Sequence, residues 1–302
     1  MGKDFLCFML NNRLPVYLLL LLLISVFSCE KPVIPSEDES KTDATGNLIV
    51  TVFQIEQVPF SSPSTRAELS SICSRLNFAV YDSLGKKIKQ IDQKLGDSGF
   101  GRAAFNVGPG RYQVVVVAHS SAGNPTMTNP AKIQFTNADG YSDTFLHNSY
   151  VEVGDSAVSV PVNLTRIVSL CRFIITDTIP DNVAQMRFQY KGGSGAFDAS
   201  TGFGSVKSTQ TVFFTVEAGR DSTVYDLYTF LHDTEGTIHL QASAYDINNN
   251  VIRDSEFDVP LKRRLITKLS GPYFSGSSGS TSGMTIIVGI AAEWEGEQII
   301  NY

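Results

Sequence analysis

The chain has 302 residues, which is enough for two domains of ordinary size. Hydrophobic residues make up 42% and charged residues 18% of it, which excludes a disordered chain and a long charged helix. The 24 Lys and Arg against 30 Asp and Glu give a net charge of -6, so the chain lacks the attraction to phosphate on which nucleic-acid binding depends. We therefore expect a folded protein without a nucleic-acid partner.

The first 28 residues have the features of a bacterial signal peptide. Lys3 and Arg13 supply the positive charge, and the apolar run at 14–27 is too short to span a membrane comfortably. Cys29 follows a small residue at the end of this run, which resembles the lipobox of bacterial lipoproteins, whose cysteine is acylated after cleavage in front of it. The alternative is an ordinary signal peptide with a coincidental cysteine. We predict a lipoprotein signal peptide over 1–28 and attachment of palmitate or a related lipid at Cys29.

Residues 29–46 form a predicted acidic tether. The segment is rich in Pro, Ser and acidic residues, with a charged centre at 36–39, so it should stay flexible. Acyl chains contribute about 0.8 kcal/mol for each buried methylene, which holds a protein at a membrane surface without a spanning helix. Acidic residues after a lipidated cysteine also resemble the surface-export signals of Bacteroidetes lipoproteins. We expect a surface-exposed protein anchored by lipid in the outer membrane.

From residue 47 onward, apolar and polar residues alternate, and turn residues interrupt the alternation. A period of two is typical of antiparallel strands with one buried face, and helical periodicity is nearly absent. Two segments stand apart as a loop-rich stretch at 120–143 and a Gly-rich hairpin region at 192–204. The predicted fold class is all-β, with two tandem β-sandwich domains at 47–165 and 166–302.

The end of the second domain differs from the rest. A Gly/Ser linker at 275–283 precedes a predicted terminal strand at 284–302. An apolar strand on a flexible lead is what strand addition between subunits requires, because its backbone can complete another sheet. The alternative is that the strand closes the sheet of its own domain. The sequence leaves both alternatives open.

Residues that could carry chemistry are scarce. The chain contains four histidines, which are His119, His147, His232 and His239. None has a second His, Cys or acidic partner at the spacing of a metal site. Cys73 and Cys171 could form a disulfide in the cell envelope, but two small buried thiols are the simpler interpretation. We expect no enzyme, no cofactor, no metal and no small-molecule substrate.

Several short segments together resemble the fimbrillin superfamily of Bacteroidales. Besides the lipobox at Cys29 and the early strand at 48–55, they are 64–67, 76–82, 164–166 and 259–271. The last two segments resemble the anchor-type minor subunits of that superfamily. The turn 108–110 followed by Tyr112 is similar to a turn of transthyretin-like sandwiches. The resemblance implies two transthyretin-like sandwiches and a role in type V pili.

The resemblance also gives Arg66 a candidate role. In that superfamily an outer-membrane protease cuts stalk subunits behind an Arg near the N-terminus, and Arg66 occupies the matching position. The cut releases a strand and opens a groove that a partner's strand refills. An anchor subunit could instead keep its early strand uncut, and Arg66 would then be an ordinary loop residue. Both alternatives stay open.

The function we predict is that of a lipid-anchored fimbrial subunit. It would attach the fibre to the outer membrane and limit or initiate assembly by pairing β-strands with stalk subunits. One alternative is a stalk or tip adhesin subunit of the same pilus class, and another is a surface glycan-binding lipoprotein. The glycan alternative needs exposed aromatic residues, for which the candidates are Tyr141, Phe145, Tyr225 and Tyr228. Core packing explains these aromatic residues more simply.

Overall fold

A computed structural model describes residues 46–55, 69–217, 219–275 and 285–289. These residues form 18 β-strands and one short helical turn, α1, at Leu69–Ile72. The predicted all-β fold is confirmed. The signal peptide, Arg66, most of the tether and most of the Gly/Ser linker lie outside the described residues.

The first series of strands ends at Arg166. Its members are β1 (Leu48–Ile55), β2 (Arg75–Tyr81), β3 (Lys87–Lys94), β4 (Arg102–Phe105), β5 (Gly110–His119), β6 (Thr126–Asn129), β7 (Lys132–Gln134), β8 (Phe145–Val153) and β9 (Val158–Arg166). Seven of them form one sheet in the order β3-β2-β5-β8-β9-β1-β4. Only two residue pairs join β8 to β9, Phe145 with Arg166 and Leu146 with Thr165.

An apolar core forms between the strands β3-β2-β5-β8 and the strands β9-β1-β4. Leu48 and Val50 of β1 are fully buried in it, together with Phe78 of β2, Phe105 of β4 and Phe145 of β8. Strands on both sides of the narrow β8–β9 connection therefore supply one core, which is the arrangement of a β-sandwich.

The second series of strands begins at Ser169. Its members are β10 (Ser169–Ile175), β11 (Gln185–Lys191), β12 (Ala196–Phe197), β13 (Gln210–Thr215), β14 (Thr223–Thr229), β15 (Glu235–Tyr245), β16 (Val251–Lys262), β17 (Ile266–Gly271) and β18 (Thr285–Gly289). Two four-stranded sheets result, in the orders β14-β10-β17-β18 and β13-β11-β15-β16.

Aromatic rings fill the core of the second series. The ring of Phe173 lies 5.1 Å from that of Phe188, 5.7 Å from that of Phe257 and 5.8 Å from that of Tyr273 in edge-to-face geometry. Such ring pairs add to the stabilisation that burial of their area supplies. The hydroxyl of Tyr273 donates a hydrogen bond to the carbonyl oxygen of Ala242 (2.7 Å), so its burial leaves no unsatisfied polar group.

A third, small sheet joins the two series, in the order β12-β7-β6. Ile133 pairs with Phe197 and Gln134 with Ala196. The interpretation of 120–143 as loops and of 192–204 as a hairpin region was therefore incomplete, because each segment contains a strand whose partner is about 60 residues away. A third apolar cluster lies around this sheet and draws on both series. The division of the chain into two domains at residue 165 stays a prediction.

The two cysteines among the described residues, Cys73 and Cys171, are buried and free. Cys73 belongs to the core of the first series and Cys171 to the core of the second. Burial raises the pKa of each thiol to about 12, so neither is a reactive thiolate near neutral pH. They are small core residues, in agreement with the simpler interpretation of the sequence.

Candidate strand-pairing site

The two series of strands repeat one topology. The strands β3-β2-β5-β8 correspond to β13-β11-β15-β16, and β9-β1-β4 correspond to β17-β10-β14. In each series the first strand pairs in parallel with a late strand, β1 with β9 and β10 with β17. Within the described residues, β18 has no counterpart in the first series. It is an added strand on the outer edge of β17.

The added strand covers backbone groups that would otherwise face outward. β18 runs antiparallel to β17 from the pair Ile266 and Gly289 to the pair Ser270 and Thr285, over five residue pairs. β17 is therefore paired on both sides, whereas β18 has a single neighbour among the described strands. Part of the segment predicted as a terminal strand thus lies on the sheet, and 290–302 are outside the described residues.

The matching edge of the first series carries a proline. The N–H of Val158 in β9 donates to the carbonyl of Asn47, so the backbone groups of Val158 point toward β1. Backbone groups of successive residues in a strand point to opposite sides, so those of Pro161, three residues later, point toward the outer edge. Asn163 faces the same way, since its carbonyl oxygen accepts a hydrogen bond from Nδ1 of His147 (3.2 Å). Pro161 cannot donate to an added strand. The residues of β17 include no proline, so this edge remains competent for pairing.

A carboxylate holds the backbone just before the C-terminal segment. The oxygens of Asp177 accept hydrogen bonds from the backbone N–H groups of Tyr273 (2.7 Å), Phe274 (2.7 Å) and Ser275 (2.6 Å). Partial burial opposes the charged form, but these N–H groups outweigh it and lower the pKa of Asp177. An ionised side chain therefore fixes the backbone of residues 273–275.

We expect Asp177→Asn to loosen residues 273–275. The amide replaces one acceptor oxygen with an N–H donor that faces other donors, which should cost about 1–2 kcal/mol locally. Amide hydrogen exchange at 273–275 should accelerate by about tenfold or more at neutral pH. The exposed Asp181→Asn is the matched control, and it should leave this exchange unchanged.

The same contacts give a pH dependence. The pKa of Asp177 is lower in the folded state than in the unfolded state. The stabilisation that its carboxylate gives to residues 273–275 is therefore complete above the unfolded pKa of Asp, about 3.9. It is lost as the pH falls through the lower folded-state pKa. Exchange at 273–275 should therefore rise in the wild type below about pH 4. Equal exchange in wild type and Asp177→Asn at neutral pH would show that the carboxylate does not hold this segment.

Both predicted site residues, Cys29 and Arg66, lie outside the described residues. Lipid attachment and proteolytic cleavage therefore stay predictions. The strand that a cut behind Arg66 would separate from the rest of the chain is β1. This strand lies inside the sheet, in parallel with β9 and antiparallel to β4, and its Leu48 and Val50 are fully buried.

The four aromatic candidates for glycan contact fall into two classes. Phe145 and Tyr225 are buried in the two cores, as core packing predicts. Tyr141 and Tyr228 are only half-buried, and both line one cavity at the edge of the second series. The sequence places them 87 residues apart, so only the fold brings them together.

The histidines hold structural positions. Burial, aided by the nearby charge of Arg75, lowers the pKa of His119 to about 3, and its ring nitrogens contact Asn77 and the backbone N–H of Ser121. His239 contacts the carboxylate of Asp258 on the neighbouring strand, a pair that strand register creates and sequence spacing hides. In the described part of the chain, no group of three His, Cys, Asp or Glu side chains could hold a metal ion.

A family model for the fimbrillin-A associated anchor proteins Mfa1 and Mfa2 matches residues 43–267. The chain belongs to this family. The resemblance inferred from the sequence is thereby confirmed, and so is the expectation that the protein is not an enzyme, because the family consists of fimbrial anchor proteins. The protein is a fimbrial subunit at the cell surface, and its partners include other fimbrial components.

Solved structures of Bacteroidales proteins are similar to the chain. A putative adhesin from Bacteroides ovatus shares 15% identity at a TM-score of 0.48, over 82% of this chain and 95% of that one. The fimbrial anchor protein Mfa2 from Porphyromonas gingivalis shares 12% identity at a TM-score of 0.44, over 84% of this chain and 99% of that one. A fimbrial assembly protein from Parabacteroides distasonis shares 12% identity at 0.36, over 80% and 94% of the two chains.

No curated protein matches the chain. Among the residues that the structure describes, no helix has the length and apolar character needed to cross a bilayer.

Proposed function

We propose that this fimbrial subunit is lipid-anchored, ties a type V pilus to the outer membrane, and limits or initiates fibre assembly by β-strand pairing with stalk subunits. The family match and the lipobox at Cys29 support the anchoring part. The observation that carries the strand-pairing part is the added strand β18 on the outer edge of β17. In this proposal the two series of strands are two domains, 47–165 and 166–302, on the acidic tether 29–46.

The energetics of β18 favour exchange. A net gain of about 0.5–1.5 kcal/mol for each backbone hydrogen bond is close to the cost of about 1–2 kcal/mol for ordering each residue. A strand of five residues with a single neighbour is therefore held weakly by its backbone alone. An equivalent strand from another subunit could replace it at the edge of β17 and restore the same hydrogen bonds.

The edge of β17 that β18 occupies also suits a base subunit, because among the described strands it can accept a replacement strand where the corresponding edge of β9 cannot. Pro161 removes an N–H donor from the corresponding edge of β9, which disfavours strand addition there. A subunit with one competent edge of this type accepts one partner and offers no second site for continued growth of the same kind. We propose that this asymmetry is what lets the subunit begin or end a fibre.

The lipid anchor is tested by Cys29→Ala. This variant should lose labelling by radioactive palmitate and should move from the outer-membrane fraction to the soluble fraction, because the acyl chains that bind the bilayer are gone. Cys7→Ala is the matched control in the same N-terminal segment, and it should remain in the membrane. Full membrane retention of Cys29→Ala would overturn the proposed anchor.

The proposal also fixes the fate of Arg66. A cut behind Arg66 would release Cys29 and its lipid from the rest of the chain, so an anchor that depends on this lipid has to remain uncut. Mass spectrometry of the mature protein should therefore find an N-terminus at an acylated Cys29 and a continuous chain through Arg66. A mature chain that begins at Ala67 would contradict the anchor role.

Strand exchange is tested with a disulfide lock. Lys268 and Ile287 are directly opposite in the backbone register of β17 and β18, and directly opposite residues have a Cα separation that permits a disulfide. The double variant Lys268→Cys/Ile287→Cys should form an intrachain disulfide when oxidised and should then be excluded from fibres. Reduction of the disulfide should restore incorporation, measured by co-purification with stalk subunits.

A second lock provides the control. Gln189 and Gln241 face each other on β11 and β15, away from the added strand. The oxidised Gln189→Cys/Gln241→Cys variant should enter fibres as the wild type does. Normal incorporation of the oxidised Lys268→Cys/Ile287→Cys variant would mean that β18 is retained in the fibre and that its exchange is not part of assembly.

A further inference from the structure

A cavity of about 720 Å³ lies beside β13 and β14, the outermost strands of the two sheets of the second series. The loop 137–141 of the first series closes one side of it. The residues that line it are Asn137, Ala138, Asp139, Gly140, Tyr141, Tyr190, Val212, Phe213, Phe214, Val224, Asp226 and Tyr228. Its volume falls in the range of small-molecule and oligosaccharide-sized sites.

The walls of the cavity expose apolar surface that core packing does not use. Phe213 of β13 is 58% exposed and Val224 of β14 is 52% exposed. The rings of Tyr141 and Tyr228 are half-buried beside them. Partly exposed aromatic faces around a concave surface are typical of ligand sites.

Asn137 presents a fixed hydrogen-bond donor at this cavity. Its Oδ1 accepts hydrogen bonds from the hydroxyl of Tyr141 (2.7 Å) and from the backbone N–H of Thr211 (3.1 Å). Because a backbone N–H can only donate, the second contact settles which end of the amide is the oxygen. The Nδ2 group of Asn137 therefore points away from these partners, and it has no hydrogen-bond partner among the described residues.

Asp226 supplies the matching acceptor. Nε and one terminal nitrogen of Arg172 donate to its two oxygens at 2.7 and 2.8 Å, which fixes the carboxylate while each oxygen retains a further lone pair. The residues that line the cavity include two carboxylates, Asp139 and Asp226, and no Lys, Arg or His. Arg172 offsets the charge of Asp226, so Asp139 is the lining charge that remains, and no lining cation is present to bind an anion. The charge of the cavity therefore favours a neutral ligand over an anionic one.

The site is rigid before any ligand binds. The carbonyl oxygen of Tyr228 accepts hydrogen bonds from the hydroxyl of Tyr190 (2.9 Å) and from Nε2 of Gln210 (3.1 Å). The ring of Tyr141 packs on Gly195, where a Cβ atom would lie 2.7 Å from the tyrosine hydroxyl oxygen. Pre-formed sites of this kind lose little conformational entropy on binding.

We propose that this cavity binds a neutral sugar unit of a glycan. The C–H faces of a pyranose would pack on the rings of Phe213 and Tyr228, and its hydroxyl groups would accept from Nδ2 of Asn137 and donate to Asp226. Aromatic faces, one free donor and one fixed acceptor, without a cation, match a polyhydroxylated neutral ligand and disfavour a nucleotide or an acidic sugar.

The cavity and the added strand lie at opposite edges of one sheet. β14 is the first strand and β18 the last in the order β14-β10-β17-β18. A glycan at β14 would therefore not cover the edge of β17 at which a partner strand would replace β18. The sugar site is thus independent of the strand-pairing proposal, and each is tested separately.

The test is titration calorimetry of the full-length mature protein in a detergent without a sugar headgroup. The probes are three neutral hexasaccharides (mannohexaose, cellohexaose and a β-1,4-galactohexaose) and one acidic probe, hexagalacturonate. At least one neutral probe should bind. Phe213→Ala and Asn137→Asp should each weaken that binding by about tenfold or more, while hexagalacturonate should not bind.

The variants are chosen to preserve the fold. Phe213 is exposed, and Asn137→Asp keeps the oxygen that Tyr141 and Thr211 contact while it removes the free N–H donors. Tyr150→Ala is the matched control, since Tyr150 is 59% exposed on β8, and it should bind as the wild type does. The proposal is overturned if no neutral probe binds, if only hexagalacturonate binds, or if Tyr150→Ala weakens binding as much as Phe213→Ala. Loss of stalk-subunit binding in Phe213→Ala without any sugar binding would also overturn it.

Discussion

Backbone N–H and C=O groups at the edge of a sheet have to be paired, covered or left to water, and this requirement organises the whole chain. Each series of strands contains one parallel pair, β1 with β9 and β10 with β17. The outer edges of β9 and β17 occupy the same place in the strand order of the two series, but their residues differ in the ability to pair with another strand. The outer edge of β9 lacks a donor at Pro161 and pairs with β8 at its C-terminal end, whereas β18 covers the outer edge of β17. The assembly role that we propose follows from that difference.

Side-chain contacts of Arg166 fix the connection between the two series of strands. Nε and a terminal nitrogen of Arg166, at the end of β9, donate to the carboxylate of Asp143, and the side chains are only 10% and 23% exposed. The guanidinium also lies 4.8 Å from the ring centre of Phe145, and Nε of Arg264 donates to the carbonyl oxygen of Arg166 (2.7 Å). Loss of one member of such a buried ion pair is strongly destabilising. The backbone pairing of β7 with β12 adds a second connection between the series.

These connections bear on both proposals. A fibre base transmits force between the membrane and the fibre, and a joint made of backbone pairing, buried rings and a buried ion pair resists rotation better than a flexible linker. The same joint brings the loop 137–141 of the first series against β13 of the second, through the hydrogen bond between Asn137 and Thr211. The proposed sugar cavity therefore exists only because the two series are fixed together.

The basic cluster 262–264 shows how tertiary contacts redefine surface residues. Lys262 forms an ion pair with Glu235 at 3.7 Å, the guanidinium of Arg263 lies 4.2 Å from the ring centre of Phe203, and Arg264 binds the end of β9. All three side chains are half-buried. A run of three cations in a sequence is typical of a solvated surface, whereas here each cation has its own structural partner.

The sequence by itself determined what local chemistry controls. Alternation gave the strands and their inward faces, as at Ile238 and His239 of β15, because the two faces of a strand are separated by a single residue. Family membership was also readable from short segments. Only the tertiary structure decided the pairing of β7 with β12, the contact of His239 with Asp258, and the meeting of Tyr141 with Tyr228. These contacts depend on strand order and register, which are set by burial and hydrogen bonding over the whole chain, and no local pattern encodes them.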